Sequence, residues 1–137
     1  MKLVSSSYTT LIRLKMIKIV KNKLASNLIL LALLINIINK IVHSSKFNVP
    51  FFINCAIYTS VYLIIAILFR INKLWAIYPC LILTLFMSYQ IIYFIKIIYF
   101  APIFVIVYVL QMLIQIFSMW IMYSGDKKLF KIVKHSR

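Results

Sequence analysis

Acidic side chains are almost missing from this sequence. Its 137 residues carry sixteen Lys and Arg against a single acid, Asp126, for a formal charge of +15. General acid–base catalysis, glycoside hydrolysis and most metal sites are assembled from carboxylates and histidines. The long apolar stretches contain neither, since the two histidines, His43 and His135, fall outside them. Each of these histidines reads as a solvated side chain beyond the end of a span. No catalytic, cofactor or metal site is therefore expected. Proton-coupled or cation-coupled transport, which draws on intramembrane acids or histidines, is disfavoured by the same absence.

Glycine occurs once, at Gly125, so neither a phosphate-cradling loop nor a GxxxG packing motif exists. Close helix contacts are left to Ala, Ser and Thr. The two cysteines, Cys55 and Cys80, lack a CxxC spacing and fall near opposite membrane faces, too far apart for a bridge. They read as inert, buried thiols. No Asn-x-Ser/Thr sequon is present, so N-glycosylation is not indicated.

What the chain does have is apolar surface. Hydrophobic residues make up 65% and charged residues 12%, about half the usual charged share. That rules out a water-soluble globule and, equally, a disordered chain. A membrane-crossing helix needs about 20 mostly apolar residues, and uncharged runs of that length place four transmembrane helices at about 24–42, 50–69, 74–95 and 101–123. The fold class expected is an all-α membrane protein, with a basic segment over 1–23 and a basic amphipathic tail over 124–137. Lys40 lies two residues from the end of the first span, where its stem carries the ammonium to the interface. Lys96 marks the hairpin between spans three and four. Pro50 and Pro102 fit helix starts, where the missing N–H costs nothing, and Pro79 lies one turn into span three.

Trp75 and Tyr78 at the start of span three, with Trp120 and Tyr123 at the end of span four, mark one membrane face. Tyr93, Tyr99 and Phe100 mark the other. Basic residues then orient the chain. One side receives Lys2, Arg13, Lys15, Lys18, Lys21 and Lys23, the loop residues Arg70 and Lys73, and the tail residues Lys127, Lys128, Lys131, Lys134 and Arg137. Those are thirteen of the sixteen, leaving Lys40, Lys46 and Lys96 opposite. Positive-inside bias predicts both termini on the cytoplasmic or matrix-equivalent side. The first span reads as a retained signal-anchor, because no small-residue cleavage pattern follows it. The sequence fits an endomembrane, plasma-membrane or mitochondrial inner-membrane destination alike.

Uncharged polar groups recur at helical spacing inside the spans. Tyr108, Gln111, Gln115 and Ser118 share one face of span four. Thr84 and Ser88 align on span three, Cys55, Thr59 and Tyr62 on span two, and Asn36 with Asn39 on span one. Turned inward, these faces are interhelical glue, or else the lining of a path for water, an anion or a small neutral solute. In the tail, Lys127, Lys128, Lys131, Lys134 and His135 oppose Leu129, Phe130, Ile132 and Val133 on a helical wheel. Gly125 is placed to end span four and Asp126 to cap a short interfacial helix carrying that pattern. Its lysines face anionic headgroups of the inner leaflet.

Three functions fit these features. The first, by elimination, is a non-catalytic accessory, assembly or scaffold subunit that binds other membrane subunits. The second is a small channel or carrier for a neutral or anionic solute, working through Gln111 and Gln115. The third is a viral or organellar membrane protein whose basic ends hold nucleic acid; sparse aromatic interleaving, only Tyr8 and Phe130, weighs against base stacking there.

Overall fold

The computed structural model describes the backbone of residues 2–43, 49–94 and 102–135, and the side chains of residues 8–43, 49–92 and 102–125. Lys46, Lys96, Tyr99, Phe100 and Arg137 lie outside the described residues, as do the expected span limits at 95 and 101. The side chains of Tyr93 and of Lys127, Lys128, Lys131 and Lys134 are likewise outside them. Helices α1 (Lys2–His43), α2 (Val49–Arg70), α3 (Ile77–Phe94) and α4 (Pro102–His135) follow in order, with a 3-10 turn at Leu74–Ala76 leading into α3. Among the described residues there is no strand, and four helices are long and apolar enough to cross a membrane. The protein is an all-α membrane protein of four spans. Lipid leaves no other choice for separate segments of this kind, because each must satisfy its own backbone hydrogen bonds.

Pro102 opens α4 and Pro50 is the second residue of α2, positions whose N–H groups a helix does not use. Helices α1 and α4 are longer than their spans require. Their 42 and 34 residues correspond to roughly 63 and 51 Å, against about 30 Å of hydrocarbon. Residues 2–23 of the basic segment and the first span thus share one helix, which α1 continues without a break.

Helix α1 packs on both α4 and α2, and α3 packs on α4. Helices α2 and α3 meet chiefly through the turn between them. In α1, Asn22, Ile29 and Asn36 are buried along one line and Ala25, Ala32 and Asn39 along the next. In α4, Tyr108, Gln115 and Met122 form one buried line and Gln111 and Ser118 another. Both sets recur every seven residues, the period of helices that wrap in a left-handed pair. The pair is antiparallel: Ser118 reaches the backbone of Ala25, Gln111 meets Asn36, and Phe104 meets Asn39. Ala25 and Ala32, both with no exposure, let the backbones approach in the absence of glycine.

The expectation that Gly125 ends span four is not met. Its φ is not positive, and α4 runs through it to His135, so no separate tail helix begins at Asp126. Breaking a helix orphans up to four carbonyls beside an apolar slab, whereas an interior glycine costs only about 0.5–1 kcal/mol relative to Ala. A Cβ on Gly125 would sit 3.5 Å from Lys21 Cδ, an ordinary contact. Gly125→Ala is therefore expected to stabilise the bundle by about 0.5–1 kcal/mol, read as a higher midpoint in reversible unfolding from mixed micelles.

The α2–α3 turn has a defined chemistry. Asn72 adopts φ 62°, its N–H donates to the Phe69 carbonyl at 3.1 Å, and the Lys73 N–H donates to Leu68 at 2.9 Å. This is a Schellman closure with Asn in the left-handed position that glycine or asparagine takes. Asn72→Gly should be tolerated. Asn72→Val should lower stability by about 1–2 kcal/mol, measurable in the same unfolding assay.

Trp75, Tyr78, Trp120 and Tyr123 all project outward, at the end of the bundle where α3 begins and the second half of α4 lies. Both free cysteines are inside the bundle wall, Cys55 half-buried on α2 and Cys80 buried on α3.

Candidate functional site

Polar side chains from all four helices meet along the bundle axis. Helix α4 supplies Gln111, Gln115 and Ser118, each with no exposure, and Tyr108, which is buried. Their spacing of three and four residues puts them on one stripe, and α1 and α3 press on that stripe from either side. At the centre is the Tyr62 hydroxyl of α2. It accepts from Gln111 Nε2 at 2.7 Å and from Gln115 Nε2, and donates to Met87 Sδ at 3.5 Å. Gln111 Oε1 accepts from Asn36 Nδ2 at 3.2 Å. Gln115 Oε1 lies 2.9 Å from Thr84 Oγ1, whose proton is also within 2.8 Å reach of the Cys80 carbonyl.

The network extends in both directions. Toward the end where α1 stops, Asn39 Nδ2 donates to the Phe104 carbonyl at 3.4 Å, and the Tyr108 hydroxyl donates to Gln90 Oε1. Toward the other end, Ser118 Oγ donates to the Ala25 carbonyl at 2.8 Å. Among the described residues, no buried side-chain nitrogen or oxygen is left without a partner. That is the condition lipid imposes, since an unmet donor there has no water to turn to.

Above the seam, at the end where α1 stops and α4 starts, a cavity of about 450 Å³ opens between all four helices. Asn36, Asn39, Lys40, Asn54, Gln90 and Tyr108 contribute polar atoms to its wall. Lys40 does not simply extend to the interface as its place near a span end implies. Its Nζ sits 3.7 Å from the centroid of the Tyr58 ring, a cation–π contact that holds the half-buried ammonium against the cavity wall. His43 is not merely solvated either: its Nδ1 is 3.0 Å from the Asn39 carbonyl, and its ring meets Phe104 edge-on at 4.9 Å.

Comparison with protein-family models, with curated proteins and with solved structures finds no match for this chain. The site must be read from its own chemistry.

The structure brings Asn36, Asn39, Tyr108, Gln111, Gln115 and Ser118 into one continuous buried seam. It divides the stripe expected on α2: Tyr62 is buried with Ile65, Ala66 and Phe69 below it, while Cys55 and Thr59 are half-buried, beside the part of α2 that lines the cavity. Ser88 donates to the Thr84 carbonyl at 2.9 Å and approaches Met112 Sδ at 3.4 Å, so it ties α3 to α4 at the edge of the seam. Gln90, Met87, Tyr58 and Asn54 were not singled out by spacing. Asn54, Tyr58 and Tyr62 do recur every four residues on α2, a signal that could have found the first two; Met87 shares a face with Thr84 but is not polar, and Gln90, two residues from Ser88, lies off that face.

Proposed function

We propose that this small multi-pass membrane protein is a non-catalytic accessory, assembly or scaffold subunit of a membrane complex, with both chain ends on the cytoplasmic or matrix-equivalent side. The observation that carries this reading is that the polar seam spends its hydrogen-bonding capacity within the bundle. Tyr62, Met87, Gln111 and Gln115, each at most 1% exposed, fill the axis, and a filled axis is glue. Outward, the helices offer large apolar side chains such as Phe52, Ile82, Leu113 and Phe117, each at least half exposed, as flat surface for neighbouring helices. Purification of the tagged protein in mild detergent, with mass spectrometry of what accompanies it, tests the proposal. A stoichiometric set of membrane partners is expected; a lone chain or a homo-oligomer would count against it.

One observation favours a second reading, a conduit for a small neutral or anionic solute: the polar cavity ends where the Gln111 and Gln115 seam begins. A conduit requires the double variant Gln111→Leu, Gln115→Leu to abolish flux in proteoliposomes while the complex still assembles. Loss of assembly instead would return the seam to its structural role.

A further inference from the structure

Beside the cavity, deeper along the bundle, is a second space of opposite character. Between α2 and α3, the pair that does not pack along its length, lies an apolar cleft of about 380 Å³ walled by Ile57, Val61, Pro79, Ile82 and Leu83. Tyr58 and Phe86 line both the cleft and the polar cavity, so the two share a wall at those rings. At 1.5 Å per residue, the cavity occupies roughly the first 13 Å from the end where α1 stops, and the cleft roughly 12–22 Å. A polar compartment near the helix ends thus lies next to an apolar one deeper along the bundle.

The charge in this site has one sign. Lys40 is its fixed cation, and the spans contain no carboxylate; Asp126, the chain's single acid, belongs to the opposite end of α4. Amide groups of Asn36, Asn39, Asn54 and Gln90 line the same cavity as Lys40; Asn36 and Asn39 each give one N–H, to Gln111 and to the Phe104 carbonyl, and keep a second. Ammonium plus amide donors suits a phosphate. A zwitterionic headgroup would bring a second cation toward Lys40 with no carboxylate to receive it.

We propose that this composite site binds one anionic phospholipid, with its phosphate at Lys40 and an acyl chain lying in the α2–α3 cleft. The site is at the end of the bundle opposite the basic segment 1–23 and the tail, so it is distinct from the attraction those clusters exert on a leaflet. Lys40 then exchanges or shares its contact with the Tyr58 ring for the lipid phosphate, and Tyr58 and Phe86 flank the glycerol region where the two compartments meet.

The test uses the full chain in nanodiscs of phosphatidylcholine with a minority of phosphatidylglycerol, followed by detergent exchange and native mass spectrometry. One phosphatidylglycerol retained per chain, in preference to phosphatidylcholine, is expected. Lys40→Gln should reduce that retention about ten- to a hundredfold, the scale of one charge-assisted hydrogen bond, whereas Lys40→Arg should keep it. Val61→Trp, which fills the cleft and leaves the charge, should reduce it as well. Unchanged thermal unfolding and gel-filtration behaviour separates these effects from misfolding, and Lys40→Arg provides the comparison if Lys40→Gln is less stable. Equal loss in a Lys21→Gln, Lys23→Gln control would overturn the proposal in favour of diffuse surface charge. Competition by millimolar inorganic phosphate with no effect of Val61→Trp would overturn it in favour of a site for a free anion.

Discussion

Tyr62→Phe is expected to lower the stability of the bundle by about 1–3 kcal/mol, well above the roughly 0.6 kcal/mol that a single interhelical hydrogen bond contributes on average in membranes. One oxygen is removed, but two buried carboxamides lose it. Gln111 and Gln115 would keep only Met87 Sδ, at 3.9 and 3.4 Å, as an acceptor for those protons, and thioether sulfur is a weak one. The mechanism makes a second, sharper forecast. In Tyr62→Phe, Gln115→Leu one orphaned amide is gone, and Thr84 retains the Cys80 carbonyl at 2.8 Å. The double variant should therefore lose less than the two single changes added together. Reversible unfolding in mixed micelles, or steric trapping in bicelles, measures all three. A Tyr62→Phe cost no greater than the average bond would mean that the hub does not hold the helices together.

Ala25→Leu is expected to cost about 1–3 kcal/mol for the opposite reason. Ala25 has no exposure, and its carbonyl receives the Ser118 hydroxyl at 2.8 Å. Three added carbons have to push α4 away, and that motion breaks the Ser118 bond at the same time. Ala32→Leu, one heptad along the same line and also fully buried, should behave similarly. Leu31→Ala, on the exposed side of the same helix, should cost little, because lipid replaces the lost contacts. A cysteine cross-link between α1 and α4 that slows in Ala25→Leu and not in Leu31→Ala would check the displacement directly.

The four spans were legible in the sequence because lipid reads the same signal: a run without charges, long enough to cover the hydrocarbon, has to be a helix. The stripe on α4 was legible too, since Tyr108, Gln111, Gln115 and Ser118 keep a helical period that isolated polar residues do not. Other features depend on which helix stands beside which, and that is not written in any one segment. Lys40 looks like an ordinary span-end lysine until Tyr58 is found beneath it. The cleft between α2 and α3 exists because α3 leans on α4 instead of α2, a preference spread over many weak contacts. Gly125 misled for a local reason. A glycine followed by an acid is a fair stop signal, but it is outweighed where continuing the helix leaves no carbonyl unpaired.

The closest pairing in the bundle is between its first helix and its last. Asn36 and Gln111 are 75 residues apart in the chain, and Ala25 and Ser118 are 93 apart. During synthesis the first three helices therefore reach the membrane with Asn36, Asn39 and Tyr62 still lacking the partners that α4 brings. Those groups need a temporary host, whether the insertion machinery, a chaperone or another polar helix, until α4 has been delivered. A chain stopped before α4 is a natural substrate for membrane quality control, and the arrival of that helix is itself the event that releases it.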